Sequence, residues 1–240
     1  MLVEKGRYGA RLARDTGDVD RAQALRARRF GTQTDRDCDD LDARCDHVLI
    51  EERATGALAG CFRVLYLSRN RIGSSYSARF YGLGRLGDFA GPMLEIGRFC
   101  LDPAWRDADI LRVAWAAITC LVDRGRVTLL MGCSSFSGTD PKPYRHCFAL
   151  LRARYLAPSR WQPEIAAPEI HPYARDIADP PDLKLALRQM PPLLRSYIAM
   201  GGWVSDHAVI DREMNTLHVF TGVEIAAIPL ARRRLLRALA

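Results

Sequence analysis

The chain has 240 residues, 48% hydrophobic and 26% charged, which is enough for a sizeable core and too apolar for global disorder. Its 35 Lys and Arg against 28 Asp and Glu give a net charge of +7, almost wholly from arginine, since lysine occurs only at Lys5, Lys142 and Lys184. The excess fits an acidic macromolecular partner or an anionic membrane surface, and equally an arginine-rich genome; no nucleic-acid-binding motif accompanies it, and no segment reaches the roughly 18–20 apolar residues of a membrane span.

In chain order, the pattern predicts a helix over Val19 to Phe30 and then an acidic loop, Asp39-Asp40-Leu41-Asp42-Ala43-Arg44-Cys45-Asp46-His47. Two apolar runs, Val48 to Glu52 and Leu58 to Leu65, flank Arg53-Ala54-Thr55-Gly56 and read as a β-hairpin whose second strand carries an inward-capable Arg63. Asn70 to Pro92 mixes five glycines with Tyr76, Phe80, Tyr81 and Phe89 and reads as a long loop.

The most informative stretch follows, Glu95-Ile96-Gly97-Arg98-Phe99-Cys100-Leu101-Asp102-Pro103-Ala104-Trp105-Arg106. A carboxylate and a guanidinium stand three residues apart in an otherwise apolar run, and such residues are rarely buried without partners. Ile96, Phe99 and Leu101 do not alternate cleanly, which predicts a strand that is bulged or buried on both faces.

A helix over about Asp109 to Arg124 and a strand over Val127 to Cys133 come next. Ala157 to Pro181 holds six prolines, which forbid a regular helix or a central strand. Helices are then predicted over Pro181 to Met190 and Pro192 to Met200, the second stopped by Gly201-Gly202, with strands over Ala208 to Asp211 and Leu217 to Phe220. The tail from Ile228 to Leu239 reads as a short basic amphipathic helix, with Leu235, Leu236 and Leu239 on one face and Arg233, Arg234 and Arg237 partly opposite.

This order of elements and residues resembles the GNAT-like acyltransferases that take acyl groups from acyl carrier protein. The acidic loop, Gly-x-x-Arg at Gly60 to Arg63 and Glu-x-x-Arg at Glu95 to Arg98 are similar to the acyl-homoserine lactone synthases. The closer match is the ornithine N-acyltransferase family, often labelled hemolysin-like. It adds Gly132-Cys133-Ser134-Ser135-Phe136-Ser137-Gly138-Thr139-Asp140-Pro141, the segment Met190 to Tyr197, and Asp211-Arg212-Glu213-Met214-Asn215-Thr216. The resemblance runs from about residue 7 to residue 226. It implies an α+β, GNAT-like fold with a mixed, mostly antiparallel central sheet flanked by helices. Residues 1–156 would form the acyltransferase core, and 157–240 a proline-rich crossing and C-terminal extension packed on it.

Amide-forming acyl transfer needs a neutral amine, an activated acyl group, an oxyanion site and recognition of the acceptor. Glu95 is the first choice for general base, with Arg98 beside it; if the two pair, Glu95 binds the acceptor ammonium instead. Asp42, Asp46, Arg63 and Arg98 are candidates for an acceptor-binding network, while Asp39 and Asp40 read as a solvated acidic loop.

Arg106 opens the segment where acetyl-CoA enzymes of this fold carry a glycine-rich turn. Here Asp107-Ala108-Asp109 replaces the glycines, which suits a carrier-protein phosphopantetheine better than coenzyme A. Ser134 and Ser135 are expected to hydrogen-bond that pantetheine or the acyl carbonyl. No Gly-x-Ser-x-Gly elbow points to covalent catalysis, and His47, His171, His207 and His218 read as structural.

Seven scattered cysteines without a Cys-x-x-Cys pair, and no apolar stretch near the N-terminus, read as a cytoplasmic protein with reduced thiols. No metal and no cofactor is expected. The expectation is thus transfer of a 3-hydroxyacyl group from acyl carrier protein to the α-amine of ornithine, giving lyso-ornithine lipid, at the cytoplasmic side of the inner membrane. Acyl-homoserine lactone synthesis from S-adenosylmethionine, a glutamine acceptor, and a non-catalytic carrier- or membrane-binding role stand as alternatives.

Overall fold

The computed structural model describes residues 1–177 and 179–239, Leu239 by its backbone alone. In chain order its elements are β1 (Val3–Lys5), β2 (Tyr8–Leu12), α1 (Thr16–Phe30), β3 (Asp46–Glu52), β4 (Leu58–Leu67), β5 (Tyr81–Gly82), β6 (Met93–Leu101), α2 (Ala108–Arg124), β7 (Leu129–Ser137), α3 (Arg145–Arg154), β8 (Glu164–Ile165), β9 (Ile170–His171), α4 (Tyr173–Asp176), α5 (Leu183–Gln189), α6 (Pro192–Ala199), β10 (Trp203–Val204), β11 (Ala208–Asp211), β12 (Thr216–Glu224) and α7 (Leu230–Leu239). They fall into two compact units. One holds Met1–Tyr66, Leu94–Val127 and the chain from Leu230 onward; the other holds Leu67–Met93 and Thr128–Pro229. The class is α+β, with mostly antiparallel strands flanked by helices.

In the first unit the strands run β1-β2-β3-β4 in antiparallel register, with β6 beside β4. The β3–β4 hairpin closes on Arg53 to Gly56 as its sequence predicts. Gly56 takes a φ of +70°, and its N–H donates to Glu52 O at 2.8 Å. Gly60 serves a different need: a Cβ there would stand 2.6 Å from Leu101 Cδ2 and 3.1 Å from Cys100 O, so β4 and β6 approach closely only because it has none.

Helix α1 starts where the Asp15 side chain accepts from Asp18 N at 2.9 Å, and stops at Gly31, φ +68°, whose N–H donates to Ala27 O. Its inner face is unusual. Ala22 and Leu25 pack against Cys61 and Cys100, but Gln23 and Arg26 are buried on the same side. Helix α2 is more ordinary: Asp107 caps it, and Ile110, Val113, Ala114, Ala117, Ile118 and Leu121 form the buried stripe expected of a 3.6-residue period.

The second unit is built on β7 and β12, paired without a break from Leu129↔Glu224 to Ser137↔Thr216. Both strands run further than the apolar pattern predicts, because the nine-residue ladder carries Gly132, Ser134, Ser135 and Gly222 along with their apolar neighbours. β11 and β10 pair β12, and β9 pairs β11. On one side lies a core of Phe136, Phe148, Tyr173, Leu194, Leu217 and Val219, in which Phe148 stacks on Tyr173 at 4.9 Å.

The two stretches read as irregular meet in this unit. β5, from the glycine-rich loop, pairs β8, from the proline-rich one, and Ala167 N donates to Phe80 O at 3.0 Å. These strands are two residues long, which is as much ladder as the surrounding prolines allow. Asp182 caps α5, and Pro192 opens α6, which ends before Gly201 at φ +85°.

Candidate active site

The acidic loop does not lie loose in solvent. Arg26, from the buried face of α1, donates through Nε to Asp37 at 2.7 Å and through both terminal nitrogens to Asp42 at 2.9 and 3.1 Å. Asp42 also accepts from Arg63 at 2.5 Å. Arg63 forks onto Asp39 at 2.5 and 2.7 Å. Arg98 closes the circuit, reaching Asp39 at 3.4 Å and Asp37 at 2.9 Å. Three carboxylates and three guanidiniums therefore alternate around a closed ring, joined by the charge-assisted, partly bidentate bonds that arginine makes best.

Four of the six members come from elements that fix them. Arg26 is held by α1, Arg63 by β4, Arg98 by β6 and Asp42 by a short helical turn. His47 stands opposite Arg63 in the β3–β4 register, and its Nε2 is 3.0 Å from Asp42 O. Gln23 Nε2 donates to Asp42 at 2.9 Å. Gly97 lies against the Arg63 side chain, where a Cβ would stand in ordinary van der Waals contact, 3.6 Å from Arg63 Nε.

The ring is graded in depth. Side-chain exposure is 1% at Arg26 and 3% at Arg63, and rises to 12% at Arg98 and 15% at Asp39. The Asp39–Arg98 edge, which is also the longest link, is the part that solvent reaches.

Burial alone would raise the carboxyls of Asp39 and Asp42, but the bonds and charges of their arginines outweigh it and hold both below the usual carboxylate range. Burial lowers His47, so the imidazole is held in its neutral form. Burial also pushes the nearby Cys45 thiol up to about 11, with Arg63 pulling it down and Glu95, Asp42 and Asp39 pushing it further up. The Cys45 thiol therefore feels the ring and Glu95 together.

Glu95 is 4% exposed on β6, three residues before Arg98. Arg98 itself has a φ of +52°, a left-handed conformation that side-chain-bearing residues seldom adopt. This is the physical form of the broken alternation seen in the sequence: the strand turns at Arg98, and the side chain leaves the pleat to reach Asp37 and Asp39.

The remaining site candidates lie elsewhere. Asp46 is exposed at the first position of β3. Arg106 is exposed just before the α2 cap, where Asp107 accepts from Asp109 N at 2.9 Å. Ser134 and Ser135 belong to the second unit and point to opposite faces of β7. Ser134 is buried and accepts from Thr221 Oγ1 at 2.9 Å, whereas Ser135 is exposed opposite His218. The histidines take structural places: His218 is buried beneath Tyr81, whose hydroxyl donates to His218 O at 2.7 Å, and burial drops its imidazole to about 4.

Sequence reasoning left out Arg26 and Asp37 and read Asp39 as solvated. The structure corrects that reading: Asp39 carries three of the ring's bonds, two from Arg63 and one from Arg98. One signal was available, because Arg26 follows Leu25 and lies four positions after Ala22, on the stripe that α1 buries. Asp37, outside any periodic element, gave none.

A family profile described as acetyltransferase (GNAT) domain matches residues 22–116, a span that includes all six ring residues and Glu95. The L-ornithine N(alpha)-acyltransferase of Rhizobium meliloti (strain 1021) is 30% identical over 239 residues, covering 91% of this chain and 80% of that protein. The protein of the same name from Brucella abortus (strain 2308) is 30% identical over 253 residues, covering 95% and 88%. The chain belongs to the L-ornithine N(alpha)-acyltransferase family. It is an acyltransferase, and its fold is shared beyond that family. The N-acyl amino acid synthase FeeM from uncultured soil microbes superposes with a TM-score of 0.52 over 95% of this chain and 98% of its own, at 9% identity.

Proposed function

We propose that this acyltransferase moves a 3-hydroxyacyl group from the phosphopantetheine thioester of acyl carrier protein to the α-amine of L-ornithine, releasing the carrier thiol and lyso-ornithine lipid. The observation that carries the reading is family membership across more than nine-tenths of the chain. The ring supports the choice of an amino-acid acceptor. Its exposed edge offers a carboxylate, Asp39, and a guanidinium, Arg98, within one hydrogen bond of each other. Such a pair complements a zwitterion that carries a second ammonium.

The reaction joins amine nitrogen to carbonyl carbon and breaks the carbon–sulfur bond. The α-ammonium must shed a proton before attack, and the new amide nitrogen loses another as the tetrahedral intermediate collapses. Glu95 is assigned the role of proton acceptor. The ring balances its own charge, three against three, so a carboxylate outside it supplies the negative charge that draws an ammonium. Arg26, Asp37, Asp42 and Arg63 are positioning residues, which hold Arg98 and Asp39 in place. The thioester supplies activation, so no enzyme-bound acyl intermediate is needed.

The α2 N-terminus supports a carrier-protein donor. Where a pyrophosphate would approach backbone amides, Asp107 occupies the cap and Asp109 adds a second carboxylate in the first turn. A phosphopantetheine arm carries one phosphate and makes less demand on this turn. Ser134 and Ser135 remain proposed contacts of that arm, Ser135 being the solvent-reachable one.

The test is to incubate the purified chain with 3-hydroxyacyl carrier protein or the matching acyl-CoA, and with ornithine, glutamine or S-adenosylmethionine, weighing products by mass spectrometry. The expected product is N-α-(3-hydroxyacyl)ornithine, formed with a kcat/KM for the carrier-protein donor far above that for the CoA donor. Equal kcat/KM for the two donors, or a product only with another acceptor, refutes the assignment.

A further inference from the structure

Helix α7 holds Arg232, Arg233, Arg234 and Arg237 in ten residues and no acid. It packs on α2 within the first unit, and Arg237 reaches Asp123 at 3.2 Å in the last turn of α2. Of the three leucines expected to share a face, Leu235 and Leu236 separate here. Leu236 is partly buried, while Leu235 is 50% exposed and Leu230, at the other end, 69% exposed. The place that Leu239 would take in this face lies outside the described side chains. An amphipathic helix docked only on its own domain would turn its leucines inward; α7 leaves two of them out among arginines.

The neighbouring end of α2 has the same character. Arg124 and Arg126 are exposed, and with Arg234 they carry no salt bridge among the described residues. Tyr66 lies over the same end: its hydroxyl donates to Leu121 O at 3.2 Å, and its ring fills the space beside Gly125, where a Cβ would meet Tyr66 Cε1 at 2.4 Å. Tyr66 as a whole is 37% exposed. Leucine tips, a half-exposed tyrosine and free guanidiniums together are the composition of a surface that sits at the headgroup level of a bilayer.

We propose that this chain docks on anionic lipid through α7 and the C-terminal end of α2, with Leu230 and Leu235 entering the headgroup layer and Arg124, Arg126 and Arg234 meeting lipid phosphates. The charge of the patch selects the occupant: α7 alone carries +4, and Asp123 pairs with only its last arginine, Arg237. The inference does not depend on the acceptor or the donor of the reaction.

The test uses the full chain in sedimentation with phosphatidylcholine vesicles, with and without phosphatidylglycerol. The unaltered protein should pellet with the phosphatidylglycerol vesicles and stay in solution with phosphatidylcholine alone. Paired Arg124→Gln and Arg234→Gln substitutions should weaken partitioning by about 30-fold. Leu235→Asn should weaken it by about 10-fold while leaving the far-UV spectrum and the acyl-transfer rate with soluble substrates unchanged. Equal binding by all three proteins, or no preference for anionic vesicles, overturns the proposal. So does retention on nucleic acid or an acidic protein without vesicle binding. Loss of acyl transfer with vesicle binding intact would instead count against the proposed reaction alone.

Discussion

Replacing Asp42 by Asn is the sharpest test of the ring. Asp42 accepts two bonds from Arg26, one from Arg63 and one from Gln23. Asparagine keeps the size but loses the charge, and it must turn an NH2 group towards a guanidinium. Removing one partner of a buried ion pair costs about 3–5 kcal/mol. Here Arg26 keeps Asp37 and Arg63 keeps Asp39, so the loss should fall near the lower end, about 3 kcal/mol. For a chain of this size that lowers the thermal midpoint by roughly 6–12 °C.

The pH dependence adds a sign. The folded-state carboxyl of Asp42 is held below its unfolded value, so its contribution is complete above about pH 4 and is lost as the pH falls through the folded value. Urea unfolding of the two proteins, followed by tryptophan fluorescence, should give the full gap at neutral pH and a shrinking gap below about pH 4. A difference under about 0.5 kcal/mol at neutral pH, the range of an ordinary surface substitution, would show that the ring does not carry the load assigned to it. A gap that widens with acid would refute the sign.

Two further substitutions separate chemistry from placement. Glu95→Gln should lower kcat by about 10²-fold or more with an unchanged far-UV spectrum; near-normal turnover in the folded variant returns Glu95 to a structural role. Arg98→Gly and Arg98→Ala lose the same bonds to Asp37 and Asp39, but only glycine adopts a φ of +52° freely. The glycine variant should therefore be more stable by about 1 kcal/mol in urea, and equal stabilities would mean that the left-handed turn stores no strain.

The legibility of the molecule in its sequence follows from where its information is local. The hairpin at Arg53 to Gly56, helix α2 and the proline-opened α6 each rest on a short local pattern, and all three appear where that pattern predicts them. Glu95 and Arg98 announced themselves because charged residues inside an apolar strand need a reason to be there. Asp37 and Asp39 did not, since an aspartate in a loop looks alike whether it faces water or a guanidinium. Their partners are 11 to 61 residues away in the chain. The identity of the partners is a property of the closed ring, and no window of sequence contains it.

The ring also bears on why this strand carries buried charge at all. Well-packed apolar residues in place of a buried ion pair are often neutral or even stabilising, so stability alone is a poor reason to keep three arginines and three aspartates beneath the surface. Placement is a better one. Arg98 stands in a conformation that its backbone does not favour, and Asp37 and Asp39 hold it there from two directions. Those aspartates are in turn fixed by Arg26 and Arg63, the two most deeply buried members. On the proposed reading, the charges inside the ring serve the edge that faces outward, fixing one carboxylate and one guanidinium at hydrogen-bond distance for an acceptor that carries both charges. On this argument the deep arginines matter for turnover without touching substrate, and losing them should raise KM for the acceptor before it alters the chemistry at Glu95.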